Sequence, residues 1–139
     1  MNTRNLMLLP KKKLDNLYSR GSFLHYPEGF YEGKPLFFLF SFKLIPLNWL
    51  ASLFWKGKYF YEVGRLFCNK LLWFKLFYGR FYFGKSSFDK KSCIVLDYHK
   101  SSLIGFFARD EIRSVGDNLF LGRAYFLGIF TCYFVLNSN

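Results

Sequence analysis

LIGFFARDEIRSVGDNLFLGRAYFLG, residues 103–128, consists of two long aromatic and aliphatic runs around a Gly-Asp pair. Such residues suit a pleated, half-buried backbone, and Gly-Asp between two runs of this kind is a two-residue hairpin signal. Successive side chains on a strand point to opposite faces. One face of 104–114 therefore carries Ile104, Phe106, Ala108, Asp110, Ile112 and Ser114, and the other carries Gly105, Phe107, Arg109, Glu111, Arg113 and Val115. The first face is apolar and is expected to look inward. The second is expected to be wet, with Glu111 between two arginines in a surface ion-pair ladder.

Asp110 is thus an acid on a face built for hydrophobes. It must find a cation or a donor, or keep its proton. Arg123, across the turn, is a candidate partner. Alternation groups Phe120, Gly122, Ala124 and Phe126 against Leu121, Arg123 and Tyr125, and leaves open which group is interior. With Arg123 inside, it would pair with Asp110 and orient a polar ligand head. With Arg123 outside, Gly122 and Ala124 would leave room for a ligand.

The same β-type runs recur upstream and downstream, at 57–63, 65–69, 75–84, 92–98 and 129–136. Short, regularly spaced strands with tight turns predict an up-and-down antiparallel meander that closes into a barrel or half-barrel, closure hiding its aromatic edges. Residues 1–10 read as a loose tail. In PKKKLDNLYSRG (10–21), Pro10 suits a helix first turn, Leu14, Leu17 and Tyr18 share a face, and Gly21 can end the helix. SFLHYPEGFYEGKP (22–35), with two prolines and two glycines, reads as turn chemistry. The domain division expected is 1–25 for the tail and short helix and 26–139 for the barrel.

LFFLFSFKLIPLNWLASLFW (36–55) approaches the ~20 residues of a membrane span. Lys43, Pro46 and Asn48 interrupt it, so two short buried segments broken at Pro46, the second helical over 47–55, are expected instead. A membrane-associated protein, anchored through 36–55 and a basic surface, is the alternative.

With 139 residues, 20 Phe and 10 Tyr, the chain has the length and the apolar mass for one buried core, and a folded rather than a disordered chain is expected. Its formal charge of +11 favours anionic surroundings or serves solubility. Cys68, Cys93 and Cys132 form no CxxC and read as reduced, packed thiols. The opening MNTRNLMLLPKKKL offers only a four-residue apolar run before Pro10, and neither signal peptide nor anchor is read in it. A cytoplasmic protein is expected, with a place at the inner face of the membrane as the variant of that reading. His25 and His99 are too few for a histidine metal cage, so no metal is expected.

Gly29-Phe30-Tyr31-Glu32-Gly33 has the form G-x-aromatic-x-G and is followed by Trp55-Lys56-Gly57-Lys58-Tyr59-Phe60. This pairing resembles the small lipocalin-like barrel proteins of uncharacterised function that carry a GxWxG signature and then W-x-G-K-x-F, with Tyr31 standing where those have Trp. FDKKSCIVLDY (88–98) and RDEIRSVGDNLFLGRAYF (109–126) are similar to the bacterial branch of these proteins. The resemblance spans residues 26–126. It implies a lipocalin-like β-barrel with an apolar ligand inside and Tyr31 plugging one barrel end; it implies no reaction.

The function expected is binding of an apolar or amphipathic, lipid-like small molecule in a barrel cavity. The candidate lining is Tyr98, Phe106, Asp110, Ile112, Arg123 and Tyr125. An enzyme is the third reading, with Asp110 or Asp97 as acid or base; an Asp97–His99 pair lies on one strand face but needs a third group between its members. The competing reading makes Asp97 a strand-end residue that satisfies turn amides. No nucleotide fingerprint or GxSxG elbow is present, and no cofactor is expected. Aromatic–basic interleaving in NKLLWFKLFYGRFYFGK (69–85) suits nucleic acid, but equally a barrel strand with one wet face, so nucleic acid is not the expected partner. An anionic membrane surface remains a candidate partner.

Overall fold

The computed structural model of the chain describes residues 1–23, 25–38, 54–99 and 107–138. Two helices, α1 (Thr3–Met7) and α2 (Lys11–Ser19), precede eight strands. These are β1 (Gly29–Phe38), β2 (Trp55–Tyr61), β3 (Leu66–Leu71), β4 (Phe74–Lys85), β5 (Ser92–Asp97), β6 (Ala108–Gly116), β7 (Leu119–Phe126) and β8 (Ile129–Asn137). Each strand pairs antiparallel with the next, and β1 pairs with β8, so the sheet closes into the expected lipocalin-like up-and-down barrel. The stretch 39–53, the break at Pro46, most of the helix expected over 47–55, and Phe106 lie outside the described residues.

The β6–β7 hairpin forms one residue later than Gly116-Asp117 suggests. Gly116 pairs with Leu119, and Asp117-Asn118 make the turn, with Asn118 at a φ of 52°. Asn tolerates that left-handed conformation well, which fixes the turn there.

Two expectations are corrected. The tail contains α1, capped by the Asn2 side chain accepting from the Asn5 N–H at 3.0 Å, and its Leu6 is fully buried. The turn-like stretch 22–35 contains the start of β1. Its glycines and proline serve tertiary contacts instead. A Cβ on Gly33 would overlap the indole of Trp55, and Pro35 sits beside a β-bulge where its missing N–H is tolerated. Gly57, at a φ of 148°, has the Tyr31 carbonyl where a Cβ would go. The G-x-Y-x-G and W-x-G-K stretches are therefore one interlocked unit, with Tyr31 opposite Lys58 and Glu32 opposite Gly57.

Alternation divides the buried side chains into two layers. Inside the barrel pack Tyr31, Phe60, Phe67, Phe81, Ile94, Leu96, Ile112, Phe120, Phe134 and Leu136. Outside it, Leu6 of α1 and Leu14 and Tyr18 of α2 cover Leu119, Leu121, Tyr133 and Val135. The helices are thus part of the barrel's outer packing.

This covering overturns the wet-ladder reading of 109–113. Glu111 and Arg113 do stand on the outer face, but both are buried, under α2 and the 86–91 turn. Glu111 accepts from Ser86 Oγ at 2.7 Å, the Ser87 N–H at 2.8 Å and Arg109 Nη2 at 3.1 Å. Arg113 grips Asp89 with two bonds of 2.7 Å and donates to the carbonyls of Tyr18, Lys91 and Ser92. Every guanidinium N–H is used.

The barrel has two unlike ends. At one lie the start of β1, the 62–65, 86–91 and 117–118 turns, and the chain 22–28, whose Ser22 exchanges two backbone bonds with Ser114. Tyr26 stacks there on Phe83 at 4.2 Å between centroids. At the other end, the mouth, β1 finishes and β2 begins, with the 72–73 and 127–128 turns.

Candidate functional site

The half of the lumen away from the mouth is filled by rings. Tyr31 is buried there, edge-on to Phe60 and Phe120, and Phe60 is edge-on to Phe81. Toward the mouth the lining changes. Lys58 follows the Gly57 bulge on β2 and points inward with Phe60; Asn69 does so with Phe67 on β3, Tyr98 follows β5, and Asp110 comes from β6.

These four make one network. Lys58 Nζ lies 2.7 Å from Asn69 Oδ1, 2.5 Å from Tyr98 OH and 3.0 Å from Asp110 Oδ2. Tyr98 OH donates to Asp110 Oδ2 at 2.9 Å and accepts from Asn69 Nδ2 at 3.0 Å. Asn69 also accepts from Trp55 Nε1 at 3.0 Å and donates to the Phe77 carbonyl at 3.2 Å. The rings of Trp55, Phe67, Tyr98 and Phe134 all have centroids 5.2–5.6 Å from the ammonium. A buried cation is tolerated only with such company.

Lys58 spends its three N–H bonds within the network, and Asn69 both its N–H bonds and both lone-pair directions. The one group left over is Asp110 Oδ1, which takes no hydrogen bond among the described residues. Among the described residues no wholly buried side-chain oxygen lacks a partner, so Oδ1 retains access to space. That space is a cavity of about 210 Å³ lined by Pro35, Trp55, Lys58, Asn69, Tyr98, Asp110, Ala124, Cys132 and Phe134.

Burial, followed by the negative charge of Asp110, pushes the Tyr98 phenol well above its ordinary range, so it keeps its proton and acts as a donor. The same two causes push the Cys132 thiol up to about 12. The arrangement can hold and orient a polar group.

Of the residues anticipated from sequence, Tyr98 and Asp110 meet at this cavity, and Ile112 lies below it in the packed lumen. Phe106 is outside the described residues. Arg123 and Tyr125 are corrected: they face outward, beneath α2. Arg123 bonds Asp15 at 3.1 Å, Tyr125 OH at 2.9 Å and the hydroxyl of Tyr133, and burial, which lowers its pKa, is outweighed by Tyr125 and Tyr133, which raise it. The Asp110–Arg123 pair does not form; Lys58 takes that place. Nor is the volume above Gly122 free, because the Phe134 ring occupies it.

Lys58 and Asn69 are the residues sequence reasoning did not assign to binding. The signal was parity: Lys58 shares a face with Phe60 and Asn69 with Phe67.

Asp97 stands on the outer wall. Its carboxylate accepts from the His99 backbone N–H at 2.8 Å and from Tyr82 OH at 3.0 Å, which is the work of a strand-end residue. With Leu66, Tyr78, Gly79, Arg80, Tyr82 and His99 it borders a surface groove of about 420 Å³, separate from the lumen. Among the described residues no group of three His, Cys, Asp or Glu side chains is placed to hold a metal ion, and no helix is long and apolar enough to cross a membrane.

No protein-family model matches the sequence, and a search of curated proteins gives no match. Among solved structures, the fold is similar to that of a protein from Thermomonospora curvata, with a TM-score of 0.65, 15% identity, and coverage of 94% of this chain and 88% of that one. At that identity the likeness concerns the fold alone.

Proposed function

We propose that the protein binds a small amphipathic molecule in the mouth of its barrel, polar group inward, against Asp110. The single observation that carries this is a buried polar network in which, among the described residues, one carboxylate oxygen takes no hydrogen bond, beside a cavity with otherwise mostly apolar walls. Lipocalin-like architecture and the GxYxG resemblance favour the same reading, since barrel mouths are recurrent ligand sites.

The chemistry of the network selects the ligand. The Lys58 charge already has Asp110 as its counterion, so a second carboxylate would meet Asp110 with no free cation among the described residues that line the cavity. A ligand cation would add a like charge near Lys58. A neutral donor such as a hydroxyl satisfies Oδ1 and leaves the ion pair intact. Its tail would lie toward the mouth, beside Trp55, Pro35 and Phe134.

Native mass spectrometry of the protein with decanol, decanoate and decylamine in parallel tests this. Adduct formation is expected in the order alcohol, then amine, then carboxylate. Absence of all three adducts overturns the binding reading. A dominant decanoate adduct keeps a binding protein but overturns the choice of head group.

A further inference from the structure

The turns at the two ends of the barrel differ in charge. At the closed end acids and bases are mixed: Glu62 and Arg65 at 62–65, Asp89, Lys90 and Lys91 in 86–91 and Asp117 in 117–118, with Glu28 ahead of β1. At the mouth, the described segments 54–57, 70–76 and 125–131 contain Lys56, Lys70 and Lys75 and no acidic residue, and Asp97, where β5 ends, has its carboxylate engaged by the His99 N–H and Tyr82 OH. They also expose large apolar side chains on both sides of the opening. Phe54, Trp73 and Phe74 stand on one side, and Phe126, Leu127 and Ile129 on the other, with Trp73 85% and Leu127 60% exposed. The two groups are locked in place by the Leu72 N–H to Phe54 carbonyl bond at 2.8 Å and the Leu127 N–H to Phe107 carbonyl bond at 2.9 Å.

The backbone gives a second, independent sign. Both mouth turns put leucine in the left-handed region, Leu72 and Leu127 each at a φ of 54°. Asn, Asp or Gly adopts that region at little cost; at the closed end Asn118 does so, with the polar Arg65 and Lys90 at φ of 49° and 62°. Two apolar residues, Leu127 exposed and Leu72 half-buried, hold strained turn positions that polar residues fill at the other end. Such violations mark surfaces that meet something other than water.

We infer that the barrel mouth docks on an anionic lipid bilayer, with the two turns inserted at the headgroup level, Lys56 beside them, and the charges of Lys70 and Lys75 on the adjoining wall, where their ammonium groups lie over Phe30 and Tyr59. A bilayer fits better than a protein partner because the apolar groups ring an opening on opposite sides, and a plane can meet both at once. An indole at a turn tip is suited to the interface, where one edge is apolar and the other wet. Basic residues next to inserted apolar ones supply the headgroup attraction. This holds whatever the lumen contains.

Co-sedimentation with vesicles of equal parts phosphatidylcholine and phosphatidylglycerol tests the inference on the full chain. The protein is expected to pellet with them, and much less with phosphatidylcholine alone. Trp73→Ser with Leu127→Ser should lower the partition coefficient about tenfold or more, on the scale of two lost apolar insertions. Lys56→Gln with Lys75→Gln should lower it severalfold and reduce its salt dependence. Val63→Ser, at an equally exposed site on the closed end, should change nothing, and circular dichroism checks that every variant folds. No pelleting, or equal loss in the Val63 variant, overturns the proposal. So does a dimer in light scattering that the Trp73/Leu127 double variant dissolves, since a second copy would then cover the rim.

Discussion

Two clusters of buried charge lie on opposite sides of the same barrel wall. Outside, Arg113 with Asp89, Glu111 with the 86–87 turn, and Arg123 with Asp15 and Tyr133 are sealed beneath α2 and the 86–91 loop. Inside, Lys58, Asp110, Tyr98 and Asn69 form an equally tight set. What differs is the far side of each. The outer groups join elements distant in sequence, Tyr18 to Arg113 and Asp15 to Arg123, whereas the inner group borders a void and, among the described residues, keeps an oxygen without a partner. Charge burial alone therefore does not identify a site; the proposed one rests on an unused acceptor beside unfilled space.

Removing a charge from each cluster separates these roles. Arg113→Ala should cost about 3–5 kcal/mol in chemical denaturation, because Asp89 and three carbonyls lose their donor at once. Lys58→Met combined with Asp110→Asn removes both charges of the inner pair, and stability should stay within about 1 kcal/mol of the parent. Decanol adducts should nonetheless disappear from its native mass spectrum. A large loss of stability in this double variant would make the inner cluster a structural fastening like the outer one.

Acid sharpens the contrast. Hydrogen bonds from Arg113 hold the Asp89 carboxyl below its ordinary value of 3.8. Burial pushes Asp15 upward, but bonds from Tyr133 and Lys11, with the charges of Lys11 and Arg123, carry it lower as well. A carboxyl with a depressed native pKa releases its proton more readily folded than unfolded. Its stabilisation is complete above about pH 3.8 and is lost as pH falls through the lowered native values. Asp89→Asn should flatten the acid limb of a denaturation-midpoint profile, to which the outer layer contributes.

The smallest expected effect concerns two thiols. Cys93, near Glu111, and Cys132, near Asp110, are each pushed up to about 12, first by burial and then by these carboxylates. Asp110→Asn should accelerate alkylation of Cys132 severalfold and leave Cys93 unchanged, as read by mass mapping of labelled peptides.

Much of this was legible in the chain. Period-two alternation places Ile112 and Asp110 inside and Glu111 and Arg113 outside, because that periodicity is a local property of a strand. What covers the outer face is not local: α2 and the 86–91 turn reach it only in the fold, so the ladder read as wet. β1 was hidden for a related reason. Gly33 and Pro35 carry turn signals, yet one makes room for Trp55 and the other meets a bulge, and both reasons exist only once β2 and β8 are beside them. Asp110 announced its need for a partner, but Arg123 was closer in sequence than Lys58. Only the closed sheet brings β2 across the lumen to β6.

The central claim is that the inner cluster is open to a ligand and the outer one is not. Side-chain NMR of the protein during a decanol titration tests it directly. Signals of the Asp110 carboxyl, the Tyr98 ring and the Trp55 indole N–H should shift together, while the guanidinium signals of Arg113 and Arg123 stay fixed. Shifts centred on Arg123 and Tyr133, or none at the lumen residues, would contradict it.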